Sequence, residues 1–218
     1  MPSPSSTPPP PCPFVDHVSP GWCFAGGVRV GDNSLTGHDP GAVVGHDLVT
    51  NRNGSQMLWD DNLSDGFDSG WVSVQLIGEV GGGANGVTWT LVQPGGKRTV
   101  VTYSGVTYAT IESVQISAAV SAKNMKITWR SITAEFYRDG ELVDAVSLAH
   151  ECNPVADTTG PDAPGSASEV AELFPDSGGI TKVIVTGLVE LESPLTTLPA
   201  PDAITGQILV FADNCAAT

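Results

Sequence analysis

From Trp71 onward the chain alternates. In WVSVQLIGEV, Val72, Val74 and Leu76 fall on one face, with Trp71, Ser73 and Gln75 on the other. That is the period of two expected of a half-buried strand. GVTWTLVQ repeats the pattern with Val87, Trp89 and Leu91 on one side, after the break at GGGAN and before the turn at PGGK. RTVVTY and VTYATIE follow on either side of Ser104-Gly105. SVQISAAV aligns Val114, Ile116, Ala118 and Val120, and MKITWR aligns Met125, Ile127 and Trp129. Each run is rich in β-branched or aromatic residues and is bounded by Gly, Pro or Asn. The pattern places Trp89 and Trp129 in the core.

The strongest local signal is SITAEFYRDGELVDAVSL. Two alternating runs flank Asp139-Gly140, a two-residue hairpin turn. Residues 149–165 read as a long loop. A short helix over about 167–174 is predicted next. Ser166 and Glu169 have capping-box spacing, and Val170, Leu173 and Phe174 form a helical stripe ending before Pro175. ITKVIVTGLVELES is a long strand with a bend expected at Gly187, and GQILVFAD closes the chain as a last strand.

About ten strands with turn signals every 8–12 residues argue for an all-β fold, an antiparallel β-sandwich of jelly-roll type, rather than parallel βαβ units. Residues 1–21, opening MPSPSSTPPPPCPF, are a Pro/Ser-rich extended arm. Residues 22–218 form one sandwich domain. The opening segment has neither a basic start nor an apolar run, so it is not a signal peptide. No stretch is apolar enough for a membrane span.

Charge narrows the partners. The 218 residues hold nine Lys+Arg against twenty-four Asp+Glu, a net charge of −15. Binding to a nucleic-acid backbone relies on cationic side chains, so nucleic acid is excluded as a partner. Anionic membrane surfaces are disfavoured likewise.

The acid is densest in WDDNLSDGFDSGW, Trp59 to Trp71. Asp61, Asp65 and Asp68 are the candidate ligands for calcium, a hard cation that takes carboxylate and carbonyl oxygens. A helix–loop–helix calcium loop is ruled out. With Gly66 as its glycine, Leu63 and Val72 stand where two ligands belong. A looser cation site in a sandwich loop is the remaining metal reading, and an Asx-rich solvated turn is the plainer one. Trp59 and Trp71 flank the loop and are the candidate ligand-binding residues, since flat aromatic faces stack on sugar rings.

Four cysteines, Cys12, Cys23, Cys152 and Cys215, allow three pairings. Proximity favours Cys12–Cys23 and Cys152–Cys215. His38 and His46 sit in two Gly-His-Asp repeats, but no third ligand is defined. Glu79, Glu112, Glu135 and Asp144 are the carboxylates available to a glycosidase pair, and Asp144 is the odd polar residue in the Leu142–Val146 stripe. No nucleophile elbow, P-loop or dinucleotide fingerprint occurs.

These features predict a non-enzymatic structural or interaction protein of a virion, cell surface or extracellular setting. Its partners are other protein subunits, met through the arm. A carbohydrate-binding module stabilised by calcium is the alternative, and a glycoside hydrolase or lyase the third.

Overall fold

The alternating runs become strands. The computed structural model describes residues 12, 22–32, 40–45, 57–58, 72–80, 86–92, 96, 98–104, 110–192 and 204–213. Among these residues there are thirteen strands. They are β1 (Trp22–Asp32), β2 (Pro40–Gly45), β3 (Met57–Leu58), β4 (Val72–Val80), β5 (Gly86–Val92), β6 (Arg98–Ser104) and β7 (Thr110–Val120). β8 (Lys126–Arg138), β9 (Glu141–Ser147), β10 (Val155–Asp157), β11 (Ala167–Leu173), β12 (Lys182–Glu192) and β13 (Ile204–Asp213) complete the set.

They form two sheets with antiparallel pairings throughout. The first has the order β11-β7-β13-β1-β2-β3. The second has the order β10-β8-β12-β4-β5-β6, with β9 also paired to β8. Eight of these strands make a jelly roll. In the first sheet the order β11-β7-β13-β1 brings the last strand between β7 and β1. In the second, β9-β8-β12-β4 does the same with β12. The chain changes sheet on going from β7 to β8, from β11 to β12 and from β12 to β13, the winding of two nested Greek keys. β2 and β3 extend the first sheet beyond this frame, and β5 and β6 extend the second.

The core fills the space between the sheets. Val74, Leu76, Val87, Leu91, Ile116, Ala118, Met125 and Ile127 are fully buried, on the faces that alternation assigned. The hairpin at Asp139-Gly140 forms with φ of 53° and 84°, the positive pair that such a turn requires. Gly187 marks a register shift between β12 and β8.

The two largest core side chains occupy sockets made by missing side chains. Trp89, on β5, lies between Gly78 on the neighbouring β4 and Gly26 on β1 of the opposite sheet. A Cβ on Gly26 would lie 2.3 Å from the indole, and one on Gly78 would lie 2.4 Å from it. Gly26 follows a register shift in β1 and has φ 146°, so a side chain there is strained as well as obstructed. Trp129, on β8, crosses to the first sheet over Gly206, where a Cβ would meet its ring at 2.8 Å. Its Nε1 donates to the Ser117 carbonyl oxygen of β7 at 2.9 Å. Burying each indole contributes about 4–6 kcal/mol by area.

Two expectations are corrected. Residues 167–173 are a strand, not a helix. β11 pairs with β7 from Ala167 opposite Val120 to Leu173 opposite Val114. The supposed capping residue Glu169 instead accepts the Val155 N–H at 2.9 Å. The loop 149–165 is not structureless either. It contains a 3₁₀ turn at His150–Cys152 and the strand β10. Thr158 fastens it: its hydroxyl donates to the Ala122 carbonyl at 2.6 Å and accepts the Met125 N–H at 3.1 Å.

The socket makes a prediction. Gly26→Ala should destabilise by about 2–5 kcal/mol, combining overpacking with backbone strain. If the indole is the obstruction, adding Trp89→Leu should relieve the steric part. The double variant should then be more stable than the sum of the single changes by about 1 kcal/mol or more. Urea unfolding of the four proteins measures this, and strict additivity would contradict the socket.

Candidate functional site

The acidic loop and its aromatics lie outside the described residues: Trp59, Asp61, Asp65, Asp68 and Trp71, with His17, His38 and His46. Among the described residues, no three His, Cys, Asp or Glu side chains gather closely enough to hold a metal ion.

The four carboxylates considered for catalysis are engaged with the fold. Glu79 pairs with Lys182 at 2.8 Å. Glu112 accepts the Thr110 hydroxyl at 2.6 Å. Glu135 accepts the Tyr137 hydroxyl at 2.7 Å, and this bond, with burial behind it, raises the Tyr137 pKa by favouring the neutral phenol. Asp144 accepts two backbone N–H groups, Ala145 at 2.8 Å and Asp176 at 2.7 Å. Its odd place in an apolar stripe has a physical cause. Pairing shifts between Phe136 and Tyr137, so Asp144 faces Phe136 while Leu142 faces Tyr137. The bulge breaks the alternation and frees the carboxylate to fasten the neighbouring loop.

The outer face of the second sheet is the open one. Cross-strand register aligns Tyr137, Lys182, Glu79, Thr88 and Thr102 in one row across β8, β12, β4, β5 and β6. The Lys182 Nζ sits 5.8 Å from the Tyr137 ring centroid while paired to Glu79. The adjacent row is Glu135, Ile184, Ile77, Thr90 and Val100. These pairs are at the surface, where ion pairs contribute about 0–1 kcal/mol. The first sheet is different. On the side of β13 away from the inter-sheet core, Leu209 and Phe211 are buried, and so are Ser113 of β7 and Glu172 of β11. The Ser113 hydroxyl donates to the Glu172 carboxylate at 2.5 Å. Glu172 was not singled out from the sequence. Its only signal was a carboxylate inside a run now seen to be a strand.

The Pro-rich segment is joined to the sandwich by a disulfide. Cys12 bonds Cys152, with Cα atoms 5.4 Å apart and 140 residues between them in sequence. This overturns the pairing expected from proximity, Cys12–Cys23 with Cys152–Cys215. Chain distance is a poor guide because the 3₁₀ turn carrying Cys152 lies on the body of the fold, where Cys12 packs against the core. The side chain of Cys23 and the whole of Cys215 lie outside the described residues.

Comparison with known proteins finds no matching family model and no matching curated sequence. The functional reading therefore stands on this chain's own chemistry.

Closing so long a loop makes the disulfide a major contributor to stability. Cys12→Ser with Cys152→Ser should lower stability by about 3–5 kcal/mol. Denaturant titration of the oxidised parent against the double variant checks this, and equal midpoints would exclude a structural bond.

A second expectation concerns acid. The Asp157 carboxylate accepts the Thr159 hydroxyl at 2.6 Å and the Thr159 N–H at 2.7 Å. These bonds, aided by the field of Lys126, outweigh burial and hold its pKa below the ordinary 3.8. The folded state therefore binds this proton less readily than the unfolded chain. The resulting stability is present above pH 3.8 and fades as pH falls through the lower folded value. Thr159→Ala should make melting temperature fall less steeply below about pH 4, by a small amount at so exposed a group. Identical acid profiles would contradict the assignment.

Proposed function

We propose that the protein is a non-enzymatic structural subunit, a jelly-roll domain that works by contact with other protein subunits in a larger assembly. A capsid decoration, a minor capsid protein and a surface-filament subunit are the settings that fit. The observation carrying this reading is the Cys12–Cys152 bond. It attaches the Pro-rich segment to the sandwich at one set point, Cys12. Polyproline-like chain held at one end loses less entropy on docking than a free tail.

Two further features support it. Of the carboxylates first considered for catalysis, Glu79 ties β4 to β12 and Asp144 ties a loop, while Glu112 and Glu135 each accept a hydroxyl two residues along their own strand. A disulfide also persists in oxidising surroundings, which accords with a virion, cell-surface or extracellular location.

Deleting residues 2–11 leaves Cys12 and its bond in place, which separates docking from loss of the disulfide. The deletion should remove the higher-order species seen by light scattering while leaving the melting temperature within about 2 °C of the parent. An unchanged size distribution would overturn the reading.

A further inference from the structure

The Cys12–Cys152 bond closes a loop of chain that contains β1 to β9. The turn carrying Cys152 is nevertheless held by other means. It closes on itself through the Cys152 N–H, which donates to the Ala149 carbonyl at 2.9 Å, and the Asn153 side-chain amide, which donates to the His150 carbonyl at 3.0 Å. On its N-terminal side the Leu148 N–H donates to the Ile132 carbonyl at 2.9 Å. On its C-terminal side the Trp129 N–H donates to the Pro154 carbonyl at 3.0 Å, Glu169 takes the Val155 N–H, and β10 pairs with Lys126 to Thr128 of β8. The Thr158 N–H donates to the Met125 carbonyl at 2.8 Å and closes the series. None of these bonds involves Cys12. The core against which Cys12 packs includes Val183, Val185, Ile208 and Val210, which lie beyond Cys152 on β12 and β13. Those strands run inside the two sheets, β12 between β8 and β4 and β13 between β7 and β1. The place that receives Cys12 is thus built from residues on both sides of Cys152 and is complete only in the folded body.

We infer that the Cys12–Cys152 bond is a redox latch that closes on an already folded sandwich. The reduced chain builds the Cys152 turn in full, and oxidation then fastens Cys12 to it while the body stays as it was. The chemistry is thiol–disulfide exchange with a small disulfide oxidant such as oxidised glutathione. One protein thiolate attacks the oxidant, forms a mixed disulfide and expels one glutathione thiolate. The second protein thiolate attacks the protein sulfur of the mixed disulfide, forms the Cys12–Cys152 bond and expels the other. Two cysteine thiols are oxidised, one glutathione disulfide is reduced, and the two protons pass to the departing thiolates. A dithiol reductant runs the exchange backwards. Cys12 is half-buried and Cys152 buried, so the exchange enters at Cys12. Stability and bond formation are linked reciprocally. The stabilisation expected of so long a closed loop converts to a bond that folding favours about 10²–10⁴-fold. The latch governs when the Pro-rich segment is fixed at Cys12. Its consequence for assembly rests on the reading of that segment as the docking arm, whereas the latch itself does not.

The test uses the full chain, reduced and then equilibrated in glutathione redox buffers, once in native buffer and once in concentrated urea. Alkylation stops the exchange, and mass spectrometry of the digested protein measures the Cys12–Cys152 pair. Its equilibrium constant against glutathione should be about 10²–10⁴-fold larger in native buffer than in urea. Equal constants would overturn the inference. The second measurement is amide hydrogen exchange on Cys12→Ser, which opens the bond without a reductant and leaves the other cysteines in place. The Val155 and Thr158 amides should keep their protection in native buffer to within about tenfold of the parent, and the variant should still melt cooperatively. Loss of protection at both amides, or of the cooperative melt, would show that the bond builds the turn and would sink the latch. Light scattering keeps the two readings apart. If deleting residues 2–11 leaves the size distribution unchanged, arm docking falls and the latch stands. If the deletion removes the higher-order species while Cys12→Ser loses protection at the turn, the latch falls and docking stands.

Discussion

The separation of the two sheets is set by two tryptophans seated where side chains are missing. Trp89 reaches from the second sheet into the space left by Gly26, and Trp129 reaches over Gly206. Cβ atoms at either glycine would collide with an indole, so the sheets can close to packing distance only in the registers that bring each ring to its glycine. The bulge that turns β1 at Gly26 therefore belongs to the packing. It shifts the strand so that a residue of unusual φ, and no side chain, faces the ring. Trp129 adds a polar tie, because its Nε1–H is satisfied only by crossing to β7. A jelly roll draws its strands from distant parts of the chain, and such fixed points limit the ways the sheets can slide.

Much of this was legible in the sequence because it depends on local periodicity. The alternation through Val74 and Leu76, and through Ile116 and Ala118, named the buried faces directly. The Asp139-Gly140 turn has one favoured geometry, and Trp89 and Trp129 stood in register with core positions. What failed depends on partners far along the chain. Ser166 and Glu169 have helix-capping spacing, yet residues 167–173 pair with β7, whose open edge outweighs a weak local preference. Asp144 looked misplaced because a one-residue bulge cannot be read from alternation. Cys12 joined a residue 140 positions away because three-dimensional proximity, not chain distance, selects disulfide partners. For the candidate site the sequence pointed to the Trp59–Trp71 loop, which lies outside the described residues.

Three carboxylates in the described strands share one role. Asp144 holds two backbone N–H groups, Glu169 holds one, and Asp157 holds the Thr159 N–H. In each case a carboxylate ends or covers a piece of backbone that would otherwise be left open. A carboxylate suits this task because it only accepts, and a charged acceptor makes a stronger bond to N–H than a neutral one. Residues that give the chain its net charge thus also bind backbone N–H groups in β9, in β10 and in the loops beside them.

That distribution leaves β6, among the described edge strands of more than three residues, without acid. A strongly acidic protein gains solubility from mutual repulsion, but the repulsion acts on every approach, including a productive one. Association then needs a patch where backbone hydrogen bonding is available and local charge is not adverse. β6, the end strand of the second sheet, lies at its far side from these strands and carries no carboxylate. It is also an addition to the eight-strand frame, reached through β5. Trp89, which pairs with Val101 across the β5–β6 ladder, anchors that extension to the core. The indole in its glycine socket therefore does two things. It sets the distance between the sheets, and it ties the two-strand extension to the core.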